Sequence, residues 1–271
     1  MLFNMKKIGY LIGILISLAV IGGYLKYYLP LTQMGMGIGA PAEIGWVLAA
    51  IISVLVTIYL TRNYLQKRME PEKWLALFVG LRAVFFIAIA LALPVFLWTK
   101  SLVASGICVS ICWIFIFLSF MAMPGFTCYF WKPEWKKYYF GLMIAFGVIA
   151  ISLLIKGFQP AIWIPEAATL FQGMPYVAGK WMYPIGKLLV MLPAGILFLT
   201  EGLAASGRAR LRAIFWAIGF FWVATTIFVP GFVVGPWNPA VVGLYCVVAE
   251  ICFAIGVALR PKEEKFVRKI E

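Results

Sequence analysis

Neither histidine nor aspartate occurs in the 271 residues, and all ten acidic side chains are glutamates. That removes the Ser-His-Asp triad, histidine-ligated haem, aspartate-held magnesium and the HExxH metalloprotease helix in one step. No GxxxxGK[ST] phosphate loop is present either. The five cysteines give little more: Cys108 and Cys112 stand one helical turn apart in an apolar run, Cys128 lies in a short connection, and Cys246 and Cys252 share the last apolar run. None falls in an expected outer loop, so no disulfide framework is anticipated, and without histidine or aspartate no zinc ligand set is recognisable. Catalysis would have to rest on Lys, Glu, Cys or Tyr alone, and the expectation is a protein that is not an enzyme.

Charge is scarce as well. Only 12% of residues are charged against 64% hydrophobic, with a mean hydropathy of +1.00, far from the roughly 25% charged of a soluble domain. Apolar runs long enough to cross about 30 Å of hydrocarbon are read at 8–29, 44–61, 74–98, 102–122, 139–156, 186–206, 211–229 and 238–260. The expected fold is therefore all-α: one integral membrane domain over residues 1–271, a polytopic transmembrane helix bundle of about eight spans. The first run follows Lys6 and Lys7 like a signal peptide but lacks a small-residue cleavage site, so it reads as an uncleaved helix.

The charge that is present is ordered. Seventeen of the 23 lysines and arginines lie near the two chain ends or in alternate gaps between runs: Lys6, Lys7, Arg62, Lys67, Arg68, Lys73, Lys132, Lys136, Lys137, Arg208, Arg210, Arg212, Arg260, Lys262, Lys265, Arg268 and Lys269. Short cytoplasmic loops retain such residues. Both termini are thus expected in the cytoplasm, with Lys26, Lys100, Lys156, Lys180 and Lys187 at the outer loops and outer helix ends. The net charge of +13 is accounted for by this pattern and by anionic lipid head groups on the cytoplasmic side, with no nucleic-acid partner. A prokaryotic cell membrane is the expected location.

Three charged residues fall inside the expected spans away from the outermost residues at their ends: Arg82, Glu201 and Glu250. Each is costly, because a charge at mid-membrane carries roughly 2.5–3.5 kcal/mol on insertion scales. Counting along the helices from the cytoplasmic end puts Arg82 about 12 Å deep, Glu250 about 15 Å and Glu201 about 8 Å. Arg82 and Glu250 therefore match in depth. One reading is an internal polar cavity holding a substrate, a proton path or a quinone head group; the other is a salt bridge locking the third span to the eighth. Glu250 shares a face with Gly243, Cys246 and Ala254, which suits helix contact. No bound cofactor has recognisable ligands, and a quinone or a lipid is compatible with so apolar a bundle.

Helix packing is signalled by Gly9 and Gly13, a GxxxG in the first run, and more loosely by Gly141 with Ala145 and Ala213 with Ala217. No internal repeat of the inverted-transporter kind stands out. The outer loops are poor in carboxylates and rich in aromatics, glycine and proline. Within the longest, Pro165 to Gln172 followed by Gly173 predicts a short helix near 165–172 lying along the outer interface. The Gly35, Gly37, Gly39 string reads as a flexible linker, since no strand precedes it. Trp163, Trp181, Phe232 and Trp237 on this face are candidate contacts for protein subunits, although tryptophan also anchors ordinary membrane interfaces.

Three function classes follow. The first is a non-catalytic membrane subunit or anchor of a larger complex, of the respiratory or electron-transfer kind, with which it shares only helix count. The second is a small transporter or channel with a polar site around Arg82 and Glu250. The third is a membrane sensor, disfavoured because no output domain is visible after the eighth run.

Overall fold

The computed structural model describes residues 2–23, 35–131, 133–164, 169–173, 178–226 and 238–259. Among these are eight α-helices: α1 (Leu2–Gly23), α2 (Ala40–Lys67), α3 (Glu70–Thr99), α4 (Leu102–Phe130), α5 (Lys136–Lys156), α6 (Tyr183–Ala204), α7 (Gly207–Thr225) and α8 (Asn238–Ala258). Six of the eight, all but α1 and α7, are long and apolar enough to cross a membrane, and the chain is an integral membrane protein on that ground. A backbone in hydrocarbon must satisfy its own hydrogen bonds, which is why the long apolar runs become helices.

Short, chemically definite turns make α2 antiparallel to α3 and α3 antiparallel to α4. Arg68 takes a left-handed φ of 53° between α2 and α3, and Pro71 opens α3 where a missing N–H costs nothing. At the far end Lys100 is left-handed and its N–H reaches Phe96 O at 2.8 Å, while Ser101 caps α4 by accepting from Ala104 N at 3.1 Å. The end where α3, α5 and α7 begin gathers Lys73, Lys136, Lys137, Arg208, Arg210 and Arg212, and we call it the basic end.

Around the bundle, α5 packs on α4, α4 on α3, α3 on α2, α2 on α8, α8 on α7 and α7 on α6, with α6 touching α4 and α1 lying against α6. The most buried of the spans is α3, 67% of whose apolar window is covered by the rest of the chain, against 22% for α5. An aromatic stack fills the middle: Phe198 of α6 lies 5.1 Å from Phe126 of α4 and 5.6 Å from Phe220 of α7, which in turn lies 5.1 Å from Phe253 of α8.

At the opposite end sits a small antiparallel sheet with β3 (Thr169–Gly173) between β1 (Gly35–Gly39) and β2 (Ile162–Ile164). Gly35 pairs with Gly173, Gly39 with Thr169, and Ile162 with Phe171. Two expectations are corrected here. The Gly35–Gly39 string is a paired edge strand, not a linker. The segment expected to be helical near 165–172 is a strand from Thr169 onward, with residues 165–168 outside the described residues. Its partners lie far away in sequence at 35–39, so local proline and glycine punctuation misleads: the pairing that decides the conformation is non-local.

The helices also start earlier or run on further than hydropathy suggests. α4 continues to Phe130 through Pro124, and α6 begins at Tyr183 after a π-helical turn over Ala178–Met182. That second difference moves a charged residue, Lys187, from an expected helix end into the bundle.

Candidate functional site

Three helices each present side chains at four-residue spacing, hence on one face, toward a common region. From α3 comes Arg82, flanked at i−4 and i+4 by Phe78 and Phe86, whose rings lie 5.6 and 5.3 Å from the guanidinium carbon. From α8 come Cys246 and Glu250. From α6 come Tyr183 and Lys187, the ammonium 4.2 Å from the centre of the tyrosine ring. Ring faces receive cations favourably, which lowers the cost of holding them away from water.

Arg82 and Glu250 are in direct contact: Arg82 Nε donates to Glu250 Oε1 at 3.1 Å, and Nη2 donates to the same oxygen. Both are enclosed, at 3% and 0% exposure. The contact is one-sided, since Glu250 Oε2 is buried with no hydrogen-bond partner among the described residues. Lys187 is equally enclosed at 2% exposure. Its ammonium donates to Thr226 Oγ1 at the end of α7, and it has no carboxylate within salt-bridge distance among the described residues. Lys187, Arg82 and Cys246 are near enough to influence one another electrostatically, and Tyr183 feels Arg82, Cys246 and Cys112.

The wall is aromatic. Trp113 of α4 meets Tyr183 edge-on at 4.9 Å and Phe85 at 6.3 Å, and Trp46 of α2 stacks on Phe86 at 6.2 Å. The indole N–H of each tryptophan is buried without an acceptor among the described residues. Among those residues the region thus holds two basic side chains and one carboxylate, together with two unpartnered donors and one unpartnered acceptor oxygen. Groups of this kind are expensive to leave unsatisfied in an apolar interior. The side chains present donors and one acceptor of the kind that meet a polar or anionic group; among the described residues no group of three or more metal-ligating side chains exists.

The remaining sequence candidates lie elsewhere. Glu201, near the C-terminal end of α6, is half exposed and accepts from Lys6 Nζ at 2.9 Å, so it ties α1 to α6 at the basic end and is not brought to Arg82. Gly9 and Gly13 face α6 closely: a Cβ on Gly9 would stand 2.8 Å from Thr200 Cα, and one on Gly13 2.9 Å from Ile196 Cγ1. Trp163, half-buried, packs on Phe96 at 5.0 Å, whereas Trp181 is exposed. Phe232 and Trp237 lie outside the described residues.

Lys187, Tyr183 and Thr226 were not singled out from sequence. A signal for Lys187 existed: Tyr183-Pro184 fits a helix with proline in its first turn, which puts Lys187 a full turn inside. No family model matches the chain, and no curated protein or solved structure matches it at a significant level. The functional reading accordingly rests on geometry.

Proposed function

We propose that this protein is a small membrane transporter or channel whose internal site, formed by Arg82, Glu250 and Lys187, takes an anionic solute. The observation that carries the reading is the second buried cation. An arginine paired with a glutamate is a sufficient helix lock, but Lys187 adds a buried amine that no carboxylate among the described residues meets within salt-bridge distance. A charge left unbalanced in hydrocarbon selects a counter-ion, and intramembrane ionisable residues commonly mark solute or ion pathways. The unpaired Glu250 oxygen and the Trp46 and Trp113 donors supply orienting contacts for a polar solute. The positive residues gathered at one end support a cytoplasmic basic end in a prokaryotic cell membrane.

The test is flux in proteoliposomes with acetate and chloride as probes. The unaltered chain should accelerate entry of at least one of them over protein-free vesicles, and Lys187→Met should abolish the gain while the protein elutes as a folded species. Flux that persists undiminished in Lys187→Met removes the basis of the reading.

A second reading is supported by the exposed aromatics near the sheet end, where Trp98 at 87% and Trp181 at 38% exposure stand out: a membrane subunit or anchor that contacts another chain there. Under that reading the protein co-purifies in fixed ratio with a partner in mild detergent; a solitary, stable chain counts against it.

A further inference from the structure

Between α4, α5 and α6, toward the basic end, the bundle leaves a cleft of about 380 Å³, within the roughly 300–1,000 Å³ of sites that enclose small molecules. Its lining includes the exposed Trp131 and Trp135 and, from α6, the exposed Leu189 and the partly buried Pro193. The origin of the cleft is local chemistry. Pro193 has no N–H to give to the carbonyl four residues back, so Leu189 O is freed from its helix. Tyr139 of α5 donates its hydroxyl to that carbonyl at 2.6 Å, bridging α5 to α6 across the opening.

The polar atoms of the lining are thereby used up within the protein. Tyr139 is committed to Leu189, and Thr127 Oγ1 donates to Met123 O at 3.1 Å inside α4. What remains is a mainly apolar slot, with Trp131 Nε1 also engaged in donating to Tyr10 OH at 3.2 Å, and such a lining favours hydrocarbon over water as its filler. Cations stand at the same end of α5. Lys136 directly follows the lining residue Trp135 and acts electrostatically on Cys128 in the wall, its ammonium 5.5 Å from the Trp74 ring; Lys137, the next residue, is exposed with its ammonium 4.9 Å from the Tyr138 ring. Glu70 offsets Lys136 only in part, at 4.0 Å and with both groups over a third exposed.

We infer that this cleft is a binding site for one anionic phospholipid, an acyl chain lying in the slot of α4, α5 and α6 and the phosphate head group meeting Lys136 and Lys137. Basic pockets between membrane helices recognise head groups in this way, and indoles at the rim suit the boundary between chain and head group. The site is separate from the Arg82 region and does not depend on the transport reading.

The experiment uses the full chain in mild detergent with dioleoyl phosphatidylglycerol, dioleoyl phosphatidylcholine and oleate offered as probes, and native mass spectrometry to count what is retained. One phosphatidylglycerol per chain should be kept about tenfold over phosphatidylcholine and over oleate. Replacing both lysines, Lys136→Gln with Lys137→Gln, should bring phosphatidylglycerol down to the phosphatidylcholine level with thermal stability unchanged. Cys128→Phe, which fills the slot, should remove retention of both lipids. Equal retention of phosphatidylglycerol and phosphatidylcholine by the unaltered chain, or stronger retention of oleate, overturns the inference. Should Cys128→Phe not fold, phosphatidylglycerol with brominated chains decides on the folded protein: its quenching of indole fluorescence must fall when Trp131 and Trp135 are replaced by Phe, and quenching that stays the same overturns the site.

Discussion

Breaking the Arg82–Glu250 contact from one side and then from both separates its energetic role from its chemical one. Arg82→Leu leaves Glu250 at 0% exposure with neither oxygen receiving the guanidinium, and Glu250→Leu leaves the guanidinium facing Phe78, Phe86 and the Lys187 charge without an anion. Stranding one partner of a buried pair costs about 3–5 kcal/mol, whereas replacing both by apolar groups of similar volume is often neutral. The site favours that outcome, because rings 5.3 and 5.6 Å from the guanidinium carbon offer an apolar seat for leucine. At about 2–4 °C per kcal/mol for a chain of this order, each single variant should melt about 6–20 °C below the parent, and the double variant within a few degrees of it. The measurement is a melting curve in one detergent at one lipid-to-protein ratio, followed by intrinsic fluorescence. A double variant as unstable as the two single losses added together refutes the reasoning, since it means that the residues act independently. Flux in the double variant should remain lost although stability returns.

Other outcomes follow from the same contacts. Lys187→Met keeps the apolar stem and removes a buried ammonium held by one hydroxyl and one ring, so its melting point should hold or rise while any anion flux disappears; a loss of several degrees in a melting curve contradicts this. Tyr139→Phe should cost about 1–3 kcal/mol by leaving Leu189 O unpaired, and the cost should shrink in a Pro193→Leu background, where the helix regains its own N–H donor; a double-mutant cycle in denaturant reads the coupling. Gly45→Val should destabilise by about 1–3 kcal/mol, because even a Cβ there would stand 2.7 Å from the carbonyl carbon of Gly243 and force α2 from α8. Gly141→Ala, with nothing within 4 Å of the new atom, should leave the melting point in place.

Much of this was legible in the residues. Hydropathy located the eight helices of the described residues within a turn or two, apart from α4, since in hydrocarbon the backbone has few other choices, and depth counting put Arg82 level with Glu250, whose side chains meet although α2 packs between their helices. The third charge was not legible at the boundary chosen for α6. A start at 186 left Lys187 at the rim, and the helix starts at Tyr183 with Pro184 in its first turn. Glu201 resembled Glu250 in sequence because both are glutamates in apolar runs. The difference lies in who stands opposite: Lys6 near the start of α1 for one, Arg82 in mid-bundle for the other.

The sequence by itself determined the class of this protein, the rough extent of the helices among the described residues, six of which are candidate membrane spans, and the residue types it lacks. Those properties depend on local composition and on a solvent that penalises every unpaired backbone group. Only the tertiary structure decided that three helices bring Arg82, Glu250 and Lys187 to one aromatic-walled region, that Gly35–Gly39 and Thr169–Gly173 become paired strands, and that a proline on α6 and a tyrosine on α5 bridge a cleft. Each of these is a meeting of residues distant in the chain, and helix order around a bundle is set by how faces pack, which no single segment encodes.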